Sequence, residues 1–315
     1  MWRNVLGSGA CLNRVPSVNG QRNGSTQSHT LGATGMQSTS QTLVDETEQA
    51  VGHVSLRGWG LSGKQGEVFS GLDLDVPRGS VAIIQGAAGS GKTSLLLSIA
   101  GRMRVTSGEG HVGELDIRKQ PRLVRGQVTV GHIAGLTDLE NDFTLAQHIA
   151  ERLIMLQPWY KPWVSKSSLR EVIDVIRETF ASATEVIDRL PEGTFSSSDA
   201  KDADFLIDDE GKAFVSELSE LQKFLLEFGL ASLAQAPVVV LDNIDYLRER
   251  EDRARAWAAI LIYQELRSKR DPENPLTVIA SCEDSSDVDL VLDALSTEVS
   301  PTSVSTLQLT QHPRH

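Results

Sequence analysis

The run Gly86-Ala87-Ala88-Gly89-Ser90-Gly91-Lys92-Thr93-Ser94 is the one place in this chain where residue types and spacing prescribe a chemistry by themselves. It meets the pattern G-x-x-x-x-G-K-[ST], whose glycines let successive backbone N–H groups turn onto phosphate oxygens. Lys92 supplies a cation to the outer phosphates, and Thr93, with Ser94 beside it, offers a hydroxyl to Mg²⁺ at a helix start. An ion held on β- and γ-phosphate oxygens needs a carboxylate at the end of a neighbouring buried strand. "VVVLD" supplies one in Asp242.

A phosphate loop of this kind works only between a strand and a helix. "SVAIIQG" ahead of it reads as a buried strand, and "TSLLLSIAGRM" behind it reads as a helix stopped by glycine. Upstream, "HVSLRGWGL" and "VFSGLDLDVPRG" alternate apolar and polar residues, the text of half-buried antiparallel strands. Residues 144–232 are mostly helical text, in "TLAQHIAERLIML", "SLREVIDVIRETFASATEVIDRL" and "FVSELSELQKFLLEFGLASLAQ". "PVVVLDNID" and "LTVIASCED" are short β-rich runs suited to a parallel sheet.

Composition bounds the rest. The 315 residues carry a formal net charge of -12, which argues against a general affinity for nucleic acid or anionic lipid but leaves room for a local basic patch. Two cysteines, Cys11 and Cys282, give no framework of crosslinks and fit a reducing cytosol. No run approaches the ~20 apolar residues of a spanning helix, and the first residues lack a signal-peptide core. Residues 1–50, rich in Ser, Thr, Gly, Asn and Gln, read as a disordered tail; 51–300 read as one folded unit and 301–315 as a C-terminal tail with room for one short strand at most.

"LSELQ" at 218–222, followed by "SLAQAPVVVLD", completes a resemblance that covers nearly all of 51–300. With the phosphate loop, these motifs resemble the ATP-binding cassette (ABC) ATPases that power membrane transporters. The resemblance implies an α/β P-loop NTPase of ABC type, with a RecA-like core sheet, an antiparallel β lobe and an inserted helical lobe. It also implies ATP and Mg²⁺ as ligands, and a dimer with itself or with another cassette. An integral membrane protein would hold the chain at the inner face of the cell membrane. Trp59 stands where the family places an aromatic ring on adenine; packing within the antiparallel lobe is its other reading. More narrowly, "LDLDVPRG", "GSGKTSLLLSIAGRM" and "QPWY" resemble single-cassette proteins paired with membrane proteins of the phage-infection-protein type in actinobacteria.

Several positions depart from that pattern. Asn243 replaces the catalytic glutamate, and its neutral amide can hold a water but cannot take its proton. Gly135 replaces a glutamine that touches metal and water, and Glu283 replaces a switch histidine. Glu220 and Leu221 replace two signature glycines, setting side chains where a second subunit needs close approach. Asp245 or Glu283 is a candidate substitute base, and Arg248, Arg250 and Arg253 are candidate donors to phosphate across a dimer. ATP binding with slow hydrolysis is the expectation.

Two further features bear on partners. Trp159, Tyr160 and Trp163 in "MLQPWYKPWVSK" read either as an anchoring patch or as packing for the helical lobe. The acidic run 198–212 suits a protein-partner site if the chain is instead a soluble regulatory module that uses ATP as a conformational ligand.

Overall fold

Valine and isoleucine runs become a parallel sheet in the computed structural model, which describes residues 54–64, 66–161, 163–191, 193–195, 210–295 and 303–310. The expectations for residues 1–50 and for most of the acidic run 198–212 lie outside the described residues. The strands are β3 (Val81–Gly86), β6 (Val128–Val130), β7 (Val238–Leu241), β8 (Thr277–Cys282) and β9 (Val304–Leu309), in the spatial order β6-β7-β8-β3-β9. Every residue of β6, β7 and β8 is buried, as expected of a sheet covered on both faces.

β9 is the one short strand that the sequence leaves room for after residue 300, and it carries the folded unit past that boundary. It pairs with β3 in parallel from Val81↔Val304 to Gly86↔Leu309, so "VSTLQL" is an edge strand of the central sheet and not a tail. Only its last residue is fully buried, which is why this polar text does not announce itself.

A second sheet is antiparallel, with order β2-β1-β4-β5. Its strands are β1 (Val54–Gly63), β2 (Gly66–Val76), β4 (Ser107–Val112) and β5 (Leu115–Asp116). Val54, Leu56, Trp59, Phe69 and Val76 from this sheet pack with Leu95, Leu96 and Ile99 of helix α1 (Lys92–Ile99) in one apolar cluster. A short helix, α2 (Pro121–Gln127), adds Val124 to the same cluster.

Three helices fall within residues 144–232: α3 (Leu145–Leu156), α4 (Lys166–Asp188) and α5 (Glu220–Ser232). Each begins on a side-chain cap: Thr144 with Gln147, Ser165 with the Ser168 N–H, and Ser219 with Gln222. α4 is an amphipathic helix whose Val172, Ile173, Ile176, Phe180, Ala183 and Ile187 are buried at three- and four-residue spacing. Helices α6 (Arg250–Arg270) and α7 (Ser286–Leu295) follow β7 and β8. Trp257 and Ile260 of α6 and Val288 and Val291 of α7 join β3, β7 and β8 in the second apolar cluster.

Candidate nucleotide site

The phosphate loop runs from the end of β3 to the start of α1. Gly89 (φ 78°) and Gly91 (φ 94°) adopt left-handed backbone that disfavours a side chain, as the motif demands. A Cβ on Gly86 would lie 2.8 Å from the Leu309 carbonyl oxygen, and one on Gly91 would lie 2.9 Å from Val68 Cγ1. The loop is thus wedged between β9 and β2, with Ala87, Ala88 and Gly89 left exposed as the mouth of the cradle. Lys92 is buried, and its Nζ donates to the carbonyls of Gly86 (2.5 Å) and Ala87 (3.1 Å) across the loop. Ser94 is half-buried in the first turn of α1.

Thr93 and Asp242 meet, although 149 residues separate them. Thr93 Oγ1 donates to Asp242 Oδ2 at 2.5 Å, and Ser281 Oγ donates to Asp242 Oδ1 at 2.5 Å. Asp242 is only 5 % exposed at the end of β7, where its backbone N–H donates to the His132 carbonyl at 2.8 Å. These hard oxygen donors beside a glycine cradle fit Mg²⁺ carried on a nucleotide. Ser90 Oγ, buried and unpartnered within the loop, is a further polar atom that a phosphate-bearing ligand could satisfy. Among the described residues no cluster of three or more His, Cys, Asp or Glu could hold an ion alone, so an ion at Asp242 would need oxygens from its nucleotide and from water.

Asn243 and Glu283 follow β7 and β8, adjacent strands that end on the side of the sheet bearing the phosphate loop. Asn243 is exposed in left-handed backbone (φ 52°), a region that asparagine tolerates better than most residues, and its N–H donates to Ser281 Oγ at 2.8 Å. Glu283 is also exposed. Its N–H donates to Asp245 Oδ2 at 2.6 Å and its carbonyl accepts from Gln85 Nε2 at 3.2 Å, which ties the end of β8 to β3. One oxygen of the candidate base Asp245 is therefore committed, and burial raises its carboxyl pKa above the usual range. Burial likewise pushes the Cys282 thiol up to about 12.

Four sequence-based expectations are corrected. Trp59 is 0 % exposed; its indole N–H donates to Ser98 Oγ at 2.9 Å, and its ring lies so close to Gly110 that a Cβ there would sit 2.7 Å away. It offers adenine no face and serves the lobe's packing. Leu221 is 3 % exposed and turned into the core, so of the two glycine replacements only Glu220 stands outward, paired with Lys223 at 3.0 Å. Arg250 and Arg253 both donate to buried Asp287 at 2.8 Å, and Arg253 also reaches the carbonyls of Leu247 and Arg248; neither is free to address phosphate. Finally, Trp159, Tyr160 and Trp163 are 90 %, 66 % and 63 % exposed, which excludes them from the core of the helical lobe.

"LSELQ" is built as a helix start. Ser219 Oγ accepts from the Gln222 N–H and Gln222 Oε1 accepts from the Ser219 N–H at 2.9 Å, a reciprocal cap that the S-x-x-Q spacing encodes. Gly135 is exposed at φ 76°, its N–H held by Asp138 at 2.9 Å, and it presents no side chain to a ligand.

A linkage absent from the sequence reading joins these segments. His132, just after β6, pairs through Nδ1 with the buried carboxylate of Glu227 on α5 and stacks on Tyr246 with ring centroids 4.2 Å apart. Tyr246 OH donates to the Glu220 carbonyl at 3.0 Å, closing a ring of contacts between the end of β7 and the start of α5. Burial raises the Glu227 carboxyl pKa while His132 opposes the rise, and burial raises that of Tyr246. Partners 95 residues apart leave no local signal.

Between the segment after β6 and helices α3 and α5 lies an open groove of about 440 Å³, lined by Leu136, Asp138, Glu151, Arg152, Met155 and Leu230 among others. Leu136 and Met155 are 50 % and 68 % exposed there.

The family model for ABC transporters matches residues 69–245. Among curated relatives, the nucleoside import ATP-binding protein NupA of Lactococcus lactis subsp. cremoris is 36 % identical over 97 residues, covering 30 % of this chain and 19 % of the relative. The cytochrome c biogenesis ATP-binding export protein CcmA of Pseudomonas putida is 37 % identical over 92 residues, 29 % of this chain and 41 % of that one. The ATP-dependent lipid A-core flippase of Chromohalobacter salexigens is 30 % identical over 187 residues, 57 % and 26 % respectively. The chain thus spans less than half the length of each of these relatives. Among solved structures, a Clostridium perfringens component of the ABC transporter complex cbiONQ superposes with TM-score 0.52 at 15 % identity, over 76 % of this chain and 81 % of that one. A dimeric ATP-binding cassette in a post-hydrolysis state with ADP and Pi gives 0.51 at 15 % identity, over 75 % and 90 %. The two-sheet architecture with its inserted helices is therefore the cassette fold, and the chain belongs to the ABC transporter family.

Proposed function

We propose that this chain is a nucleotide-binding subunit that takes MgATP on the loop 86–94 and couples it to an integral membrane partner, with slow hydrolysis. The binding unit is proposed to run from Val54 through Leu309, with 144–232 as its helical lobe. The observation that carries the reading is the meeting of Thr93 with buried Asp242 at the mouth of the glycine cradle. Lys92, released from the Gly86 and Ala87 carbonyls, would turn to the outer phosphates, and Thr93 and Asp242 would hold the ion. Held by those two residues, Mg²⁺ would supply positive charge to offset that of the phosphates. Asn243 limits the chemistry, because it orients a water without accepting its proton. Gly135 supplies no side chain, and Glu283 brings a carboxylate to the same end of the sheet.

Support for the partner comes from the groove beside α3 and from Trp159, Tyr160 and Trp163, exposed just beyond that helix. Among the described residues no helix is long and apolar enough to cross a membrane, so attachment at the inner face would be through such a partner. The names of the import, export and flippase relatives accord with this role, and the dimeric cassette with ADP and Pi accords with pairing to itself or to a second cassette.

Two measurements test the proposal. ATP binding should fall at least tenfold in Lys92→Ala, and the wild-type chain should co-purify with an integral membrane protein from detergent extracts. Unchanged ATP affinity in Lys92→Ala would refute the site. Recovery as a lone soluble protein that still binds ATP would replace transport coupling with the regulatory-module reading.

A further inference from the structure

The far end of α1 opens on a different kind of site. α1 begins at the phosphate loop and, at ~1.5 Å per residue, ends about 12 Å away, where the chain enters a cavity of about 870 Å³. No residue of the phosphate loop lines it. Arg102 and Arg104 come from the segment after α1, Arg125 from α2, and Arg118 and Lys119 from the segment after β5; Glu109 and Asp116 are its two carboxylates.

The acids do not balance these cations. Asp116 is already engaged by Lys119 Nζ at 2.8 Å and by the N–H groups of Arg118 and Lys119 at 2.9 and 3.0 Å. Arg118 is held by the Gly108 carbonyl at 2.9 Å. Arg102, Arg104 and Arg125 find no carboxylate among the described residues, in a chain with 42 acidic residues and a net charge of -12. Partial burial and the neighbouring Arg125 charge lower the Arg102 pKa, and burial first, with the Arg102 charge second, lowers that of Arg152. Like charges crowded in this way are unfavourable alone, and an anion between them removes the repulsion.

We propose that this cavity binds a phosphate-bearing anion on the guanidinium groups of Arg102, Arg104 and Arg125. A carboxylate occupies one guanidinium fork, whereas a phosphate presents three or more oxygens and a larger charge, which several forks can share. The cavity has room for an organic remainder. Arg152, which feels the Arg102 charge, also lines the groove beside α3, so the anion would sit next to the proposed partner-docking face. The ligand is either a free phosphorylated solute or a phospholipid headgroup at the membrane surface.

Calorimetric titration of pyrophosphate into the Lys92→Ala protein at low salt, with the phosphate loop disabled, reads the free-solute arm. Flotation with phosphatidylglycerol or phosphatidylcholine vesicles reads the headgroup arm. The expected result is salt-sensitive binding in one arm that weakens at least tenfold in Arg102→Ala/Arg125→Ala and is partly kept in Arg102→Lys. Arg102 and Arg125 are exposed, so their truncation leaves the core intact, which a thermal melt verifies. ATP binding should be unchanged by the arginine substitutions, so the cavity and the phosphate loop are judged separately. Binding in neither arm, or binding that the double variant leaves unaltered, would overturn the proposal.

Discussion

Replacing Asn243 by glutamate restores a proton acceptor at the position after β7, and the structure sets how much rate that can return. A positioned general base contributes about 10²- to 10⁴-fold, roughly 3–5 kcal/mol of barrier. Against an ordinary turnover of about 10 s⁻¹, its absence places the wild-type rate at about 10⁻³ to 10⁻¹ s⁻¹. Asn243→Glu should recover only part of this. Residue 243 sits at φ 52°, where a longer side chain than asparagine costs about 1–2 kcal/mol. Relaxing that strain by shifting the residue about 1 Å can forfeit up to ~10²-fold in rate. Gly135 still contributes no side chain to hold the water. The expected gain is therefore about 10- to 10²-fold, read as phosphate release under saturating MgATP, with Lys92→Ala as the blank. A wild-type protein that already turns over at about 10 s⁻¹, with Asn243→Glu leaving the rate within a factor of about two, would refute the assignment of Asn243 as the missing base.

Trp59→Phe should leave ATP affinity unchanged in an equilibrium titration while lowering stability by about 1 kcal/mol through loss of the hydrogen bond to Ser98; a large loss of affinity would restore the adenine-stacking role. Gly86→Ala drives a methyl group against the Leu309 carbonyl and should cost about 1–3 kcal/mol, a fall in melting temperature of several degrees, with ATP binding weakened as well. Asp245 has its carboxyl pKa raised by burial, so its contribution to stability is complete below the unfolded value near 3.8 and is lost as pH rises through the higher folded value. Asp245→Asn retains an acceptor for the Glu283 N–H, and its melting temperature should gain on the wild type between pH 4 and pH 7; a difference that shrinks over that range would count against the argument.

What could be read in advance was what is local. The phosphate loop is consecutive, and the strand bearing Asp242 announces itself by four apolar residues and a carboxylate. The S-x-x-Q cap at Ser219 is local too, although the resemblance to a family motif drew the reading away from its role as a helix start. Facing directions were not legible. Distance along the chain placed Trp59 near the nucleotide, but a bulged register in β1 turns its ring inward over Gly110. Leu221 and Trp159 likewise differ in exposure because of how α5 packs and where α3 ends, which no count of residues supplies. His132 and Glu227 find each other only through the tertiary fold.

β9 also bears on how the protein reaches its native state. Gln85 and Gln308 bond across 223 residues of sequence, and the root of the phosphate loop rests on Leu309. Contacts of such separation demand a large loop closure and form slowly. Until they form, β3 presents an unpaired hydrogen-bonding edge, open to wrong partners. Emerging from the ribosome, the chain would have its phosphate loop long before the strand that props it, so nucleotide binding should be among the last properties the folding protein acquires.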